Sequence, residues 1–452
     1  MAGVTLLIAA IACIFVFALR PIYGILIFLA AFLWYPTYIT VPVGTIDFTL
    51  RRIVILALFA KLFIQTDLPL RLKFNWLDKF VILQFLIQIL VGITNTQLSM
   101  AFLENRGGEF LDSILPYFAI RIIVQNKQQY LTLLKGILII AAPLAILGLY
   151  ECIIGVNPVG FFGKYYAWGA PKSAFAPPRA GFHRAKVTFS QPIMYGMFFS
   201  MLGPVCAALL KNIRKNKNVY ILGIALMCIG VFASVSSGPW LSALFACFFI
   251  IFYRYKKYWK VGLLLIVLMF GTLEIISERH FYDEIDRVAL SGETAWYRIK
   301  LIEVALFEGG MRDHWLTGYG WGVDPGWMKQ IYPDRGTMTD MTNQYLSILS
   351  GFGLIGLIPF LGVLLIAMKM LINSFKISKN DSNRWLVWCL SGGLFGAVSA
   401  ILSVSLWDAP LTIFYMMIAF CGIMPTVVKE RNIKYIMRND EYKEVSLITN
   451  YS

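Results

Sequence analysis

Charge is scarce in this 452-residue chain: 14% of the residues are Asp, Glu, Lys or Arg, while 58% are hydrophobic. A soluble domain carries about 25% charged residues, so a water-soluble globule is excluded. Residues 192–210 and 341–368 carry no charge at all, and between Arg384 and Lys429 only Asp408 does. A helix that crosses a bilayer needs about 20 apolar residues. The chain is therefore read as an all-α, polytopic membrane protein. Acidic residues are rarer still in the middle of the sequence, with none between Glu151 and Glu274. The seven cysteines form no CxxC pair and no ligand spacing. A disulfide framework or a cysteine metal centre is excluded, and they read as small buried hydrophobes. The first apolar run lacks a basic leader and meets Arg20-Pro21, so it reads as a retained span and not a cleaved signal. No repeat or low-complexity tract is visible.

What charge there is has a pattern. The net charge of +15 is concentrated in short loops, Lys211, Arg214, Lys215 and Lys217 in one, Arg254, Lys256, Lys257 and Lys260 in another. That is the signature of loops kept on the cytoplasmic side, not of a nucleic-acid surface. Apolar runs predict spans near 3–19, 22–39, 53–65, 78–94, 110–124, 130–152, 191–210, 219–236, 238–253, 261–277, 352–370, 385–406 and 409–428. These make a bundle of about 12–13 helices within a single membrane domain, 1–452. The stretch 219–253 would be about 52 Å long as one helix, too long for one crossing. Ser236-Ser237-Gly238-Pro239 breaks it into a hairpin, and Asp408-Ala409-Pro410 does the same in the last pair.

With the basic loops inside, two long segments fall outside. The first, 153–190, carries Lys164, Lys172, Arg179, Arg184 and Lys186 and no acid. The second, 278–342, is of mixed charge, with helical periodicity over 294–307 (Trp296, Ile299, Ile302, Val304, Leu306), and is expected to form a helical cap. A basic external loop runs against the usual charge bias. It reads either as a site for an anion such as a diphosphate, which arginine's planar fork suits, or as a surface drawn to anionic headgroups. Glu151, near the outer end of its span, reads as a functional buried acid or as a headgroup-level partner for a cation of this loop. Arg121 is expected to snorkel at the cytoplasmic end of its span.

Several stretches resemble the O-antigen ligase and polymerase family. Arg184-Ala185-Lys186-Val187-Thr188-Phe189-Ser190-Gln191-Pro192 is similar to that family's Arg-x-x-Gly-x-Phe…Pro stretch, with Val187 where a glycine is usual. Trp296-Tyr297-Arg298 and Gly318-Tyr319-Gly320-Trp321-Gly322 resemble its Arg-led helix and Gly-x-Gly-x-Gly turn. Thr342-Asn343, followed by Gly353 and Gly356, fits His-Asn-x9-Gly-x-x-Gly except for the first residue. The hairpin at Ser236–Trp240 resembles a further stretch loosely. The resemblance covers roughly 110–370.

It implies a GT-C-like inner-membrane glycosyltransferase, working on the outer face with undecaprenyl-diphosphate-linked glycan as donor and a saccharide or lipid-linked glycan as acceptor. Arg184 and Arg298 would hold the diphosphate, with Arg179 and Lys186 in support. No cofactor is expected, and no Asp-x-Asp or histidine cluster suggests a metal. The family's histidine is Thr342 here, and a hydroxyl has no useful basicity at neutral pH. Asp340, two residues before it, is the nearest candidate base, beside Thr342 and Asn343 as orienting groups, while His183 and His314 also lie in the external segments and His280 has no selecting context. Tyr165, Tyr166 and Trp168 are candidates for stacking on sugar, though lipid-interface aromatics read the same way. A polymerase is favoured over a ligase acting on lipid A core, and a chain-length regulator is a further expected partner. A transporter or flippase, and a non-catalytic assembly scaffold, are the alternative classes. A transporter is disfavoured because no inverted repeat is seen and the charges gather outside the midplane.

Overall fold

The structure is a computed structural model, and it describes residues 2–43, 46–65, 72–95, 99–165, 178–213, 215–258, 292–331 and 341–429, with 261, 268 and 272. The described chain is a helical bundle: α1 (Ala2–Ala18), α2 (Pro21–Trp34), α3 (Leu50–Ile64), α4 (Trp76–Asn95), α5 (Met100–Glu109), α6 (Leu115–Ile123), α7 (Lys127–Ile154), α8 (Pro192–Cys206), α9 (Leu209–Asn212), α10 (Lys217–Ala233), α11 (Ser237–Ile251), α12 (Gly292–Leu306), α13 (Gln344–Ile377), α14 (Asp381–Ala400) and α15 (Ala409–Val428). Six of the described helices are long and apolar enough to cross a membrane, and α1, α2 and α10 are shorter apolar helices. The all-α polytopic bundle expected from the sequence is what the described residues form. The expected spans at 53–65, 110–124 and 385–406 are helices with polar residues built in or a π-helical turn at Phe110–Ile114. The expected span 261–277 lies outside the described residues, save Val261, Leu268 and Thr272.

Helices α8 and α15 are almost wholly buried and form the centre, with α10, α11 and α14 around the first and α6 and α13 against the second. Their large side chains, Tyr195, Phe198, Phe199, Phe414 and Phe420, are inaccessible, while Leu7, Phe63, Leu244, Ile251 and Leu365 point outward as a lipid-facing belt should. Three of the seven cysteines join that outer layer: Cys228 and Cys247 are exposed and Cys13 is half-buried, contrary to the expectation of burial. A pair of short strands, β1 (Thr40–Val43) and β2 (Ile46–Thr49), pairs antiparallel between the second and third expected spans, and the second ends before its expected limit at 39. The cause is Pro36, since the residue before a proline is driven from helical to extended backbone, and α2 stops at Trp34.

Alternating helix directions sort the loops into two ends. At the basic end, Lys211 pairs with Asp381 at 2.9 Å and Lys127 donates to Asn383 at 2.6 Å, so the loops read as cytoplasmic lie together. Arg121 lies toward this end but does not snorkel. It is buried and grips Asp78 through Nε–Oδ1 and Nη2–Oδ2 contacts of 2.7 Å each, Tyr117 donates to the same carboxylate at 2.6 Å, and Nη1 donates to the Gly422 carbonyl. The side chain lies against Gly422 of α15, where a Cβ would stand 3.0 Å from its Cδ, so it is enclosed between α6 and α15.

At the opposite end, α13 breaks at Gly353, whose φ of 62° and ψ of −163° are outside the helix. A break in a helix orphans amides and carbonyls on both sides. The segment Trp315–Gly320 supplies both sets. Tyr319 and Gly320 donate to the carbonyls of Ser350 and Gly351, and Leu354 and Ile355 donate to those of Trp315 and Leu316. A Cβ on Gly353 would lie 2.2 Å from the Leu316 carbonyl oxygen, so only glycine permits this docking. The cap helix α12 buries Tyr297, Leu301, Val304 and Ala305 in a small core shared with Leu346 and Leu349 of α13. The face differs from the expected one, because Trp296 is exposed.

Candidate anion site

The site is assembled on the break between α10 and α11. Gly238 and Pro239 open α11 and Ser236 is its N-cap residue, with extended backbone, so the positive end of a 15-residue helix faces this turn. From the 153–190 segment, Arg184 Nη2 donates to Ser236 Oγ at 2.9 Å, and that hydroxyl donates onward to the Ser234 carbonyl at 2.8 Å. From the cap helix, Arg298 Nη1 reaches Ser237 Oγ at 3.4 Å. Two arginines separated by more than a hundred residues thus hang from neighbouring serines.

A third cation stands close by. Arg179 and Phe182 exchange both backbone hydrogen bonds across Ala180 and Gly181, whose positive φ values of 50° and 80° suit a type I′ turn. Phe182 packs edge-on against Phe232, which stacks on Trp240, and this pins the turn to the hairpin. Burial, and secondly the charge of Arg179, pushes the guanidinium of Arg184 down to about 10, and the same two causes bring Arg298 to about 10. Both remain protonated at neutral pH. Burial also lowers Arg179, and Lys186 is lowered by burial while the Glu151 carboxylate opposes the shift. No carboxylate is a described partner of either central arginine. Glu303, considered as a mate for Arg298, pairs with Lys300 at 2.7 Å. The buried Nε atoms of Arg184 and Arg298 have no hydrogen-bond partner among the described residues. Clustered cations with free donors are matched by a ligand of high negative charge.

Glu151 sits behind the loop. It is buried, and its Oε2 accepts the backbone N–H of Lys186 at 3.0 Å and of Val187 at 2.7 Å. It therefore bonds the main chain of the basic loop, a role neither sequence reading anticipated.

The remaining candidates lie elsewhere on this end. Asn343 caps α13, its Oδ1 accepting from Tyr345 and Leu346 at 2.9 and 3.1 Å. Thr342 Oγ1 is buried without a described partner. Gln344 donates its backbone N–H to Ile401, and the next turn of that loop, Ser403 and Val404, lines Gly238. The 401–406 loop thus stands between the two groups, and no described hydrogen bond joins Thr342 or Asn343 to the arginines. His183 is exposed, and His314 stacks on Tyr319 with ring centroids 3.9 Å apart. Asp340, His280, Tyr166, Trp168 and the side chain of Tyr165 lie outside the described residues. Sequence reasoning missed Ser236 and Ser237 as arginine partners; the helix-breaking Ser-Ser-Gly-Pro run was the available signal.

Fold and site define a multi-pass α-helical membrane protein with a cluster of arginines at the end opposite its basic loops. Residues 222–361 match the family model described as O-antigen ligase, so the region from the hairpin through α12 to Gly356 is similar to that family. The matched residues include Ser236, Ser237, Arg298, Thr342 and Asn343; Arg184 lies before them. No curated protein matches the chain.

Proposed function

We propose that this protein transfers a glycan from a polyprenyl diphosphate, undecaprenyl diphosphate by family resemblance, to a saccharide hydroxyl on the outer face of the cytoplasmic membrane, as a polymerase. The observation that carries this is the convergence of Arg184 and Arg298 on Ser236 and Ser237 with no acidic partner described for either. In this reading the arginines bind the donor diphosphate. The acceptor oxygen attacks the anomeric carbon in line, the carbon–phosphate oxygen bond breaks, and the diphosphate leaves with its electron pair. Charge grows on that leaving group, so fixed guanidinium donors stabilise the transition state more than the ground state. Arginine charge takes the place of a metal here. The segments 153–190 and 278–342 are external, and the basic loops cytoplasmic; membrane lipids surround the bundle and a chain-length regulator is a further partner.

The test is product formation by the purified full-length protein from a polyprenyl-diphosphate-linked oligosaccharide, and longer glycans identify the polymerase. Transfer only to lipid A core would instead make it a ligase. For sidedness, single cysteines at Glu308 and Lys215, in a chain stripped of its own cysteines, are exposed to a membrane-impermeant thiol reagent on intact cells. Labelling of position 308 and protection of 215 is expected, and the reverse pattern inverts the orientation.

The acceptor proton must also go somewhere. We expect Asp340→Asn to lower turnover more than Thr342→Val, because the amide keeps size and removes basicity. General-base catalysis contributes about 10²–10⁴-fold, so the difference is large if Asp340 holds the role. Unchanged turnover of the Asn variant across several pH values would assign the proton elsewhere, His183 and His314 being the next to substitute.

A further inference from the structure

We propose that Glu151 is a positioning residue: its carboxylate clamps the Lys186–Val187 turn and so fixes Arg184 for the anion. The proposal rests on reading Arg184 and Arg298 as the donor site. Three observations carry it.

The first is backbone conformation. Val187 has a φ of 50°, in the left-handed region that a β-branched residue avoids. Such a conformation persists only where its surroundings over-determine it. The second is the set of restraints that do so. Both N–H groups of the turn converge on one oxygen of Glu151, and the Val187 carbonyl accepts from Asn157 Nδ2 at 3.0 Å. On either side, His183 donates its N–H to Cys152, Ala185 donates to Ala233, and Thr188 Oγ1 donates to the Leu33 carbonyl. The loop carrying Arg184 is thereby tied to α7, α10 and α2, with Glu151 at the strained point.

The third is the sign of the charge. A carboxylate beside a cluster of Arg179, Arg184, Lys186 and Arg298 weakens the attraction for an anion. By electrostatics alone its removal strengthens anion binding, whereas by positioning its removal weakens binding. The two accounts predict opposite directions.

The experiment is calorimetric titration of inorganic pyrophosphate into the purified full-length protein in detergent. Arg184→Ala is the control for the site and should bind at least about tenfold more weakly, the scale of one lost hydrogen bond to a charged group. Glu151→Gln keeps an oxygen acceptor and loses the charge, so it should bind as the wild type does or more tightly. Glu151→Ala should bind several-fold more weakly, and adding Val187→Gly to it should recover most of the loss, because glycine adopts the turn without a clamp. Wild-type or tighter binding by Glu151→Ala, or equal weakening in Gln and Ala, overturns the proposal. Where Glu151→Ala fails to fold, the Gln and the double variant decide: near-wild-type binding by both supports the clamp, and weakening in either overturns it. Wild-type binding by Arg184→Ala would instead remove the site reading, an outcome separate from failure of the clamp alone.

Discussion

Arg184→Ala and Arg298→Ala are each expected to reduce glycan product at least about tenfold while the protein stays folded. A hydrogen bond to a charged group contributes about 1.5–3 kcal/mol, and about 1.4 kcal/mol is already a factor of ten. Neither arginine has a described acidic partner, so truncation strands no carboxylate and stability should change little. Each guanidinium uses one Nη on a serine, and its buried Nε has no hydrogen-bond partner among the described residues. Lysine at either position should restore activity only in part, because an ammonium offers a point charge and not two parallel donors. The effects should appear mainly in turnover, since diphosphate charge is greatest as the bond breaks. Product assays with matched melting curves check this, and wild-type synthesis by either alanine variant removes that arginine from the site.

Asp78→Ala is expected to have the largest effect on stability. It leaves the Arg121 guanidinium buried with only carbonyls to bond, and removing one member of a buried pair destabilises by about 3–5 kcal/mol. Asp78 is fully inaccessible, and the pair joins α4, α6 and α15 at the basic end. A clear drop in the thermal midpoint of the detergent-solubilised protein is expected. Replacing both partners, Asp78→Leu with Arg121→Met, should recover most of the loss, because no charge is then left unpaired. If the double variant melts as low as Asp78→Ala, the defect lies in packing and not in a stranded charge.

Membrane residence, the order of most helices and the break at Ser236–Pro239 were legible in the sequence. Each depends on a local property: apolar run length, or the inability of Pro239 to continue a helix. Arg184 was singled out as a candidate by its acid-free segment and by motif resemblance, and Arg298 by motif resemblance. Other features were hidden because they depend on partners distant in the chain. Arg121 sits at the end of an apolar run, and nothing local distinguishes a snorkelling arginine from one paired with Asp78 forty-three residues earlier. The three outward cysteines looked like the four buried ones, since an apolar helix in lipid is hydrophobic on every face. Gly318–Gly322 read as a tight turn, but its purpose emerged only where its amides met the carbonyls freed at Gly353.

Sequence alone determined that this chain is a helical membrane protein with its cations sorted between short loops and one acid-free segment, because burial in lipid is decided by composition over about 20 residues. Tertiary structure alone decided which cations lie together. Arg184 lies in a loop and Arg298 on a cap helix, and their shared seat on Ser236 and Ser237 exists only when α10, α11 and α12 are packed. The same holds for Glu151, whose carboxylate became a main-chain clamp because folding brought the Lys186–Val187 turn to the end of α7. Hydrogen bonds and fields act over a few ångströms, and only the folded chain brings these residues within that range.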